Sequence, residues 1–212
     1  MTNNRNLISN GKMQNKLSKI YGIVFFLLNL GLMLFLFSCT TQTRKDFDTY
    51  VTYYNNHDFK KRMALYSDTA KFELINGWLK IGKEKIGKYE EFMDAVESTI
   101  SASDMKIDGD TLYCTLTERD KFRELLGVDK LVYQTRYIIR NGLITEVVFS
   151  LTPESGQLLS TASKPFTLWV SEKHMQDWDS LLNQDGFKYS KETAGKWLDL
   201  AREWREVKNR NK

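Results

Sequence analysis

Few residues in this 212-residue chain combine a type and a spacing suited to chemistry. Histidine, the side chain that changes charge nearest neutral pH, occurs only at His57 and His174. The two are far apart and have no cysteine beside them, so a transition-metal site is not indicated. No nucleophile-elbow pattern surrounds a serine, which leaves a Ser/His/acid triad without support. Gly82-Lys-Glu-Lys-Ile-Gly87 lacks the spacing of a phosphate-cradling loop. Lys83 and Lys85 beside Glu84 read as a solvated helix start. Cys114 alternates with Leu112 and Leu116, the pattern of a small buried strand residue. Glu118 and Glu146 remain as carboxylates that could act as acid or base if turned inward with a raised pKa. No metal or cofactor is implied.

One stretch sets the expected compartment. Ile20–Cys39 is an apolar run closed by Ser38 and Cys39, preceded by Arg5, Lys12, Lys16 and Lys19 and by no acid. A basic leader, an apolar run and a small residue at the cut site make a secretory signal over residues 1–38. Leu36-Phe37-Ser38-Cys39 resembles the end of a bacterial lipoprotein signal. That resemblance implies that Cys39 is lipidated, as in palmitate-bearing lipoproteins, and begins the mature protein after a short spacer, 39–43. The protein is then membrane-anchored in the bacterial cell envelope, on the outer membrane if the cell is Gram-negative. The alternative is an uncleaved membrane anchor, since the run approaches the length needed to cross about 30 Å of hydrocarbon. Both readings put everything after Thr40 outside the cytoplasm.

The leader also accounts for the net charge. It holds four of the 31 Lys and Arg and none of the 27 Asp and Glu, leaving 27 of each sign. A neutral mature chain gives no reason to expect a nucleic-acid partner. With Cys39 lipidated, only Cys114 remains, so no internal disulfide forms. An aromatic content of 13% suits a packed domain.

The elements that must position any site follow from periodicity. Phe47, Tyr50, Val51 and Tyr54 recur at helical spacing and predict a helix over 44–55. Asp58 caps a second helix whose stripe is Phe59, Met63 and Tyr66, ended by Ser67-Asp68. Ala70–Ile75 and Trp78–Ile81 flank Asn76-Gly77 as a strand pair. Ile86, Tyr89, Met93, Val96 and Ile100 predict a third helix. The period then becomes two: Met105–Ile107 with Thr111–Glu118, and Leu131–Arg140 with Leu143–Leu151 around Asn141-Gly142, read as hairpins separated by a helical turn at Phe122–Leu126. The last strand carries apolar residues on both alternations, which predicts cover on both faces of the sheet. Helices from Ser163 to about Asn183, stopped by Gly186, and from Ser190 onward are candidates for that cover. Their tryptophans, Trp169, Trp178, Trp197 and Trp204, would pack on the chain or a partner, and the tail from Arg205 would fray.

This order resembles the nuclear transport factor 2-like, or SnoaL-like, family. The resemblance spans residues 44–155. It is carried by Tyr50-Val-Thr-Tyr-Tyr-Asn-Asn-His-Asp58-Phe, Leu65-Tyr-Ser-Asp68, Gly82, Phe122-Arg-Glu-Leu-Leu-Gly127, Asn141-Gly-Leu-Ile144 and Leu151-Thr-Pro-Glu-Ser155. It implies an α+β fold, a cone-shaped curved antiparallel sheet wrapped around helices, with a C-terminal helical extension over 156–212. Members include isomerases, cyclases, dehydratases and noncatalytic binding domains, so the fold leaves function open. Isomerase chemistry of this type needs a carboxylate base, a tyrosine and a protonated acid. By alignment the tyrosine falls on Tyr50, the base on Leu74 and the acid near Gln134. An aliphatic side chain cannot abstract a proton, so isomerase activity is not expected.

The expected pocket is then lined by Tyr50, Tyr54, Leu74, Trp78, Gln134 and Arg136, with Arg136 paired to Glu73, Glu118 or Glu146, or to an anionic ligand group. Three functions follow: a noncatalytic domain binding a small amphipathic molecule, a protein-interaction or homodimerising module using the sheet face or the tryptophan helices, and an isomerase, cyclase or dehydratase using Glu118 or Glu146.

Overall fold

A computed structural model describes residues 41–183 and 186–210. The leader, Thr40 and the lipidation candidate Cys39 lie outside the described residues. Helix α1 covers 41–55, so residues 41–43 form its first turn rather than a spacer. Thr43 is buried, and its hydroxyl donates to the Gly109 carbonyl at 3.1 Å. Next come α2 (Phe59–Ala64), β1 (Tyr66–Leu74), β2 (Leu79–Ile81) and α3 (Lys83–Ala95). They are followed by β3 (Thr99–Asp108), β4 (Thr111–Arg119), α4 (Lys121–Leu125), β5 (Leu131–Arg140) and β6 (Leu143–Leu151). The chain ends in α5 (Pro153–Lys173), α6 (Met175–Leu181), a small hairpin of β7 (Leu182–Asn183) and β8 (Gly186–Phe187), and α7 (Lys191–Arg210).

Six strands form one curved sheet in the order β2-β1-β6-β5-β4-β3. Every neighbouring pair is antiparallel except β1 with β6, which is parallel. The architecture is the α+β one expected: a curved sheet around helices, with a helical extension. The β5–β6 turn shows how local sequence sets it. Asn141 and Gly142 both have positive φ, 52° and 75°, the mirror-image turn whose twist matches the flanking strands.

On the inner face, side chains pair in rows across the sheet. One row runs Phe72, Val147, Tyr137, Leu112 and Ile107, and another runs Leu74, Phe149, Thr135 and Cys114. Phe47, Tyr50 and Tyr54 of α1, with Ile86, Tyr89 and Met93 of α3, fill the concavity against these rows.

Several expected elements shift. Tyr66 belongs to β1 rather than to the stripe of α2, and Ile100 to β3 rather than to α3. Both are apolar at helical spacing from the preceding stripe, and the sheet claims them because their backbones pair. The first C-terminal helix begins at Pro153, about ten residues earlier than expected. Thr152 caps it, accepting a bond from the Ser155 amide at 3.3 Å, and Pro165 lies inside it. Gly186 stands in β8 rather than at a helix end, and α7 stays helical to Arg210.

Strand β6 explains its own double apolar pattern. Ile138 pairs with Glu146, whereas Ile139 pairs with Ile144, so Thr145 is an extra residue, a β-bulge. The bulge shifts the phase, and Ile144 on one side and Val147 and Phe149 on the other all face inward. The expectation that the sheet is covered on both faces is therefore corrected. α5 and α7 do not cover the outer face. They pack at the open end of the sheet's concavity against α3, α4 and the ends of β5 and β6. Trp197 is wholly buried there, and Trp169, Trp178 and Trp204 pack beside it within the chain.

Candidate ligand-binding site

Two polar clusters lie inside the concavity. The first joins α1, α2 and α3. Arg62 Nε is 2.9 Å from Glu90 Oε2, and Arg62 Nη2 is 2.8 Å from Asp94. The Tyr66 hydroxyl donates to Glu90 Oε1 at 2.7 Å, and the Tyr50 hydroxyl does so at 3.4 Å. Burial holds the Tyr50 and Tyr66 phenols well above their ordinary range, so both remain neutral donors. Tyr50 thus supports a structural ion pair.

The second cluster centres on Glu118, inward on β4. Ser98 donates to Oε1 at 3.0 Å, and the Tyr54 hydroxyl donates to the same oxygen at 3.3 Å. Tyr133 donates to Oε2 at 2.9 Å and Arg123 Nη1 at 2.7 Å. The same Nη1 lies 2.9 Å from Asp120, which caps α4 by accepting from the Arg123 amide at 2.8 Å. Burial raises the Asp120 carboxyl pKa, with Arg123 opposing it. A carboxylate has about four lone-pair sites, and here four donors address Glu118.

The space around these clusters is divided unequally. An inner void of about 30 Å³ lies between Tyr50, Tyr54, Glu118, Tyr133 and Tyr137. That is room for about one or two waters. A larger cavity of about 190 Å³ lies between the sheet, α3 and the C-terminal elements. Leu74, Trp78, Tyr89, Phe149 and Tyr133 form its inner wall, and Leu159, Phe166 and Tyr189 close it from the extension. Arg123 is its charged lining residue. The ring of Trp78 stacks on Phe72 at 5.8 Å and meets Tyr189 edge-on at 6.0 Å, which fixes this wall.

The expected site residues are therefore scattered. Leu74 and Trp78 line the larger cavity, while Tyr50 and Tyr54 border the inner void. Gln134 and Arg136 require correction. Both lie on the outer face of β5, Gln134 exposed and bonded to Thr115 at 3.5 Å, and Arg136 paired with Glu146. Tyr133, Thr135 and Tyr137 take the inward positions, because a strand position one residue off faces the opposite side. Glu146, offered as a catalytic acid, is likewise outside the cavity in its pair with Arg136.

Glu118, offered as an acid if turned inward, does face inward, since it follows Leu112, Cys114 and Leu116 at period two. Other residues of the site were not foreseen. Glu90 sits four residues after Ile86 and three before Met93, on the buried stripe of α3. Arg123 and Tyr189 carry no comparable signal, since each reaches the cavity through tertiary packing.

No family model matches the chain, and no curated protein matches it. Solved structures share the architecture. An M. tuberculosis LEH-like epoxide hydrolase is similar at 12% identity and a TM-score of 0.49, over 61% of this chain and 97% of that one. A nuclear transport factor 2-like protein of unknown function from Cytophaga hutchinsonii is similar at 15% identity and a TM-score of 0.44, over 53% and 91%. A de novo designed protein with a curved β-sheet gives 15% and 0.45, over 58% and 96%. The likeness is one of overall architecture, and none of those proteins' chemistry carries over.

Proposed function

We propose that this chain is a lipid-anchored protein of the bacterial envelope, tethered outside the cytoplasm through Cys39, whose domain binds a small, largely apolar molecule without transforming it. The observation that supports binding is the cavity of about 190 Å³ walled by aromatic side chains. An apolar cavity of about 150 Å³ is enough to hold benzene, whereas drug-sized ligands occupy about 300–1,000 Å³. A molecule of roughly one ring is therefore the right scale. Catalysis is disfavoured by the same geometry. Glu118, the inward one of the two carboxylates expected to act, borders the void of about 30 Å³ rather than the larger cavity and is addressed by four donors.

The anchor is read from Ile20–Cys39. Among the described residues no helix is long and apolar enough to cross a membrane. Expression in a bacterium, with membrane fractionation of the wild type and Cys39→Ser, tests the anchor. The variant is expected to lose the lipid label and leave the membrane fraction. Thermal melting with a panel of single-ring compounds tests binding, because a ligand bound by the native state raises the melting temperature with concentration. An unchanged melting temperature across the panel would remove the binding role.

An interaction role is the second reading, supported by Ile75, Leu79 and Ile81. These apolar side chains are exposed on and beside the edge strand β2. The outer sheet face is a poorer candidate, since Lys71, Glu73, Gln134, Arg136 and Glu146 occupy it. A homodimer through the β2 edge would appear as a dimeric mass in sedimentation and dissociate on Leu79→Lys. A monomeric wild type would exclude that homodimer.

A further inference from the structure

We propose that the larger cavity selects a neutral, single-ring-sized molecule carrying a carbonyl oxygen, received by the Nε–Nη2 edge of Arg123. The inference rests on the binding role above and specifies its ligand.

Arg123 has five N–H donors in a rigid planar fork. Nη1 is committed to Glu118 at 2.7 Å and to Asp120 at 2.9 Å, and these two contacts fix the plane of the guanidinium. Nε and Nη2 make no hydrogen bond among the described residues, and the side chain forms part of the cavity wall. The side chain is 16% exposed, and an acceptor that reaches these donors against the apolar wall gains a charge-assisted hydrogen bond in place of water. Of the lining hydroxyls, Tyr133 donates its proton to Glu118 and Thr167 to the Lys164 carbonyl, while Ser163 and Tyr189 also line the cavity and carry no charge.

Charge then decides which acceptor fits. Arg123 contributes one positive charge, and Glu118 and Asp120 stand against it. With both acids ionised the cluster is negative, and with Asp120 protonated it is neutral. In neither state is positive charge left over. A ligand carboxylate would add another negative charge in a region of low dielectric, where like charges repel strongly. A ligand cation would face the guanidinium itself, the charged group of the cavity wall. A neutral carbonyl accepts the free N–H groups without either conflict, and its ring packs against Trp78, Tyr89 and Phe149.

Three probes of similar size separate the alternatives on the full-length chain: acetophenone, ethylbenzene and benzoate, with affinity measured by ligand-observed NMR and melting shifts. Acetophenone is expected to bind at least tenfold tighter than the other two. Leu159→Trp, which fills the cavity without touching the Arg123 cluster, is expected to abolish binding. Arg123→Lys, which keeps the charge but loses the planar fork, is expected to bring acetophenone down to the ethylbenzene level. Equal affinity for acetophenone and ethylbenzene, or a preference that survives Arg123→Lys, overturns the carbonyl assignment and leaves the binding role standing. Tightest binding by benzoate overturns the charge argument, and with it the proposal. Failure of all three probes, or binding unaffected by Leu159→Trp, overturns both the proposal and the cavity as the binding site.

Discussion

Arg62 Nε and Glu90 Oε2 lie 2.9 Å apart inside the core, and neither side chain is exposed to solvent at all. The guanidinium also stacks over the Tyr54 ring at 4.8 Å and donates to the Glu90 carbonyl at 3.2 Å. The pair ties α2 to α3 beneath α1. Removing Arg62 leaves Glu90 in low dielectric with no counter-charge, at a cost of about 3–5 kcal/mol, whereas Arg62 without Glu90 keeps Asp94. Arg62→Met alone is therefore expected to lower the urea midpoint sharply. Arg62→Met with Glu90→Leu removes both charges and is expected to recover much of the loss. Equal losses in the single and double variants would show that the residues matter through shape alone.

Cys114 gives a prediction about pH. Burial pushes its thiol up to about 12 from an ordinary value of 9.0. The native state thus keeps a proton that the unfolded chain releases, and stability must fall as pH rises across that window. Below pH 9 this contribution is fully present. Unfolding free energies of the wild type and Cys114→Ala, compared from pH 8 upward, should converge as the wild type loses its extra stability. The same burial predicts that a thiol reagent at pH 8 labels the native wild type no more than Cys114→Ala, and labels one additional cysteine after unfolding.

Much of this fold was legible in the sequence, and the failures have a common cause. Strands β5 and β6 were placed by their period-two pattern and the Asn141-Gly142 turn, whose requirement for positive φ few residue pairs meet. Which face each residue takes was not legible. One unseen bulge at Thr145 inverts the alternation, and an alignment good to about two residues put Gln134 inward where Tyr133 and Thr135 stand. Leu74 is placed beside a cavity by the alignment and its strand face, and Trp78 by lying across the local Asn76-Gly77 turn. Arg123, Phe166 and Tyr189 come from three separate segments, and only the folded chain brings them to one wall.

Substitutions on the two faces of the sheet should differ accordingly. Gln134→Ala removes an exposed side chain, and Arg136→Ala breaks a partly exposed ion pair. Each is expected to change stability by about 1 kcal/mol or less and to leave ligand-induced melting shifts intact. Phe166→Ala empties a fully buried site in the helix that closes the cavity, at a cost of about 3–5 kcal/mol. It should also weaken ligand binding. Thermal and urea unfolding with and without a single-ring probe separate these outcomes. A binding loss in Gln134→Ala or Arg136→Ala would point to the outer face as the site.

The bulge at Thr145 can be tested by removing the residue rather than changing it. Ile144 is 2% exposed and Val147 0%, and the extra residue between them allows both to face inward. Deleting Thr145 restores strict alternation, so either Ile144 or the pair Val147 and Phe149 must turn outward. Exposing a buried aliphatic or aromatic side chain costs about 1.5–3 kcal/mol, and the pair costs roughly twice that. The deletion is thus expected to settle on the cheaper choice, turning Ile144 out, or to unfold the domain. Thr145→Ala keeps the residue count and loses only the hydroxyl's bond to the Ile138 carbonyl at 3.2 Å, worth about 1 kcal/mol. Chemical denaturation of both variants, with hydrogen exchange along β5 and β6, distinguishes a phase effect from a side-chain effect. Equal, small losses would mean that the strand tolerates either register and that the bulge does not set which residues meet the core.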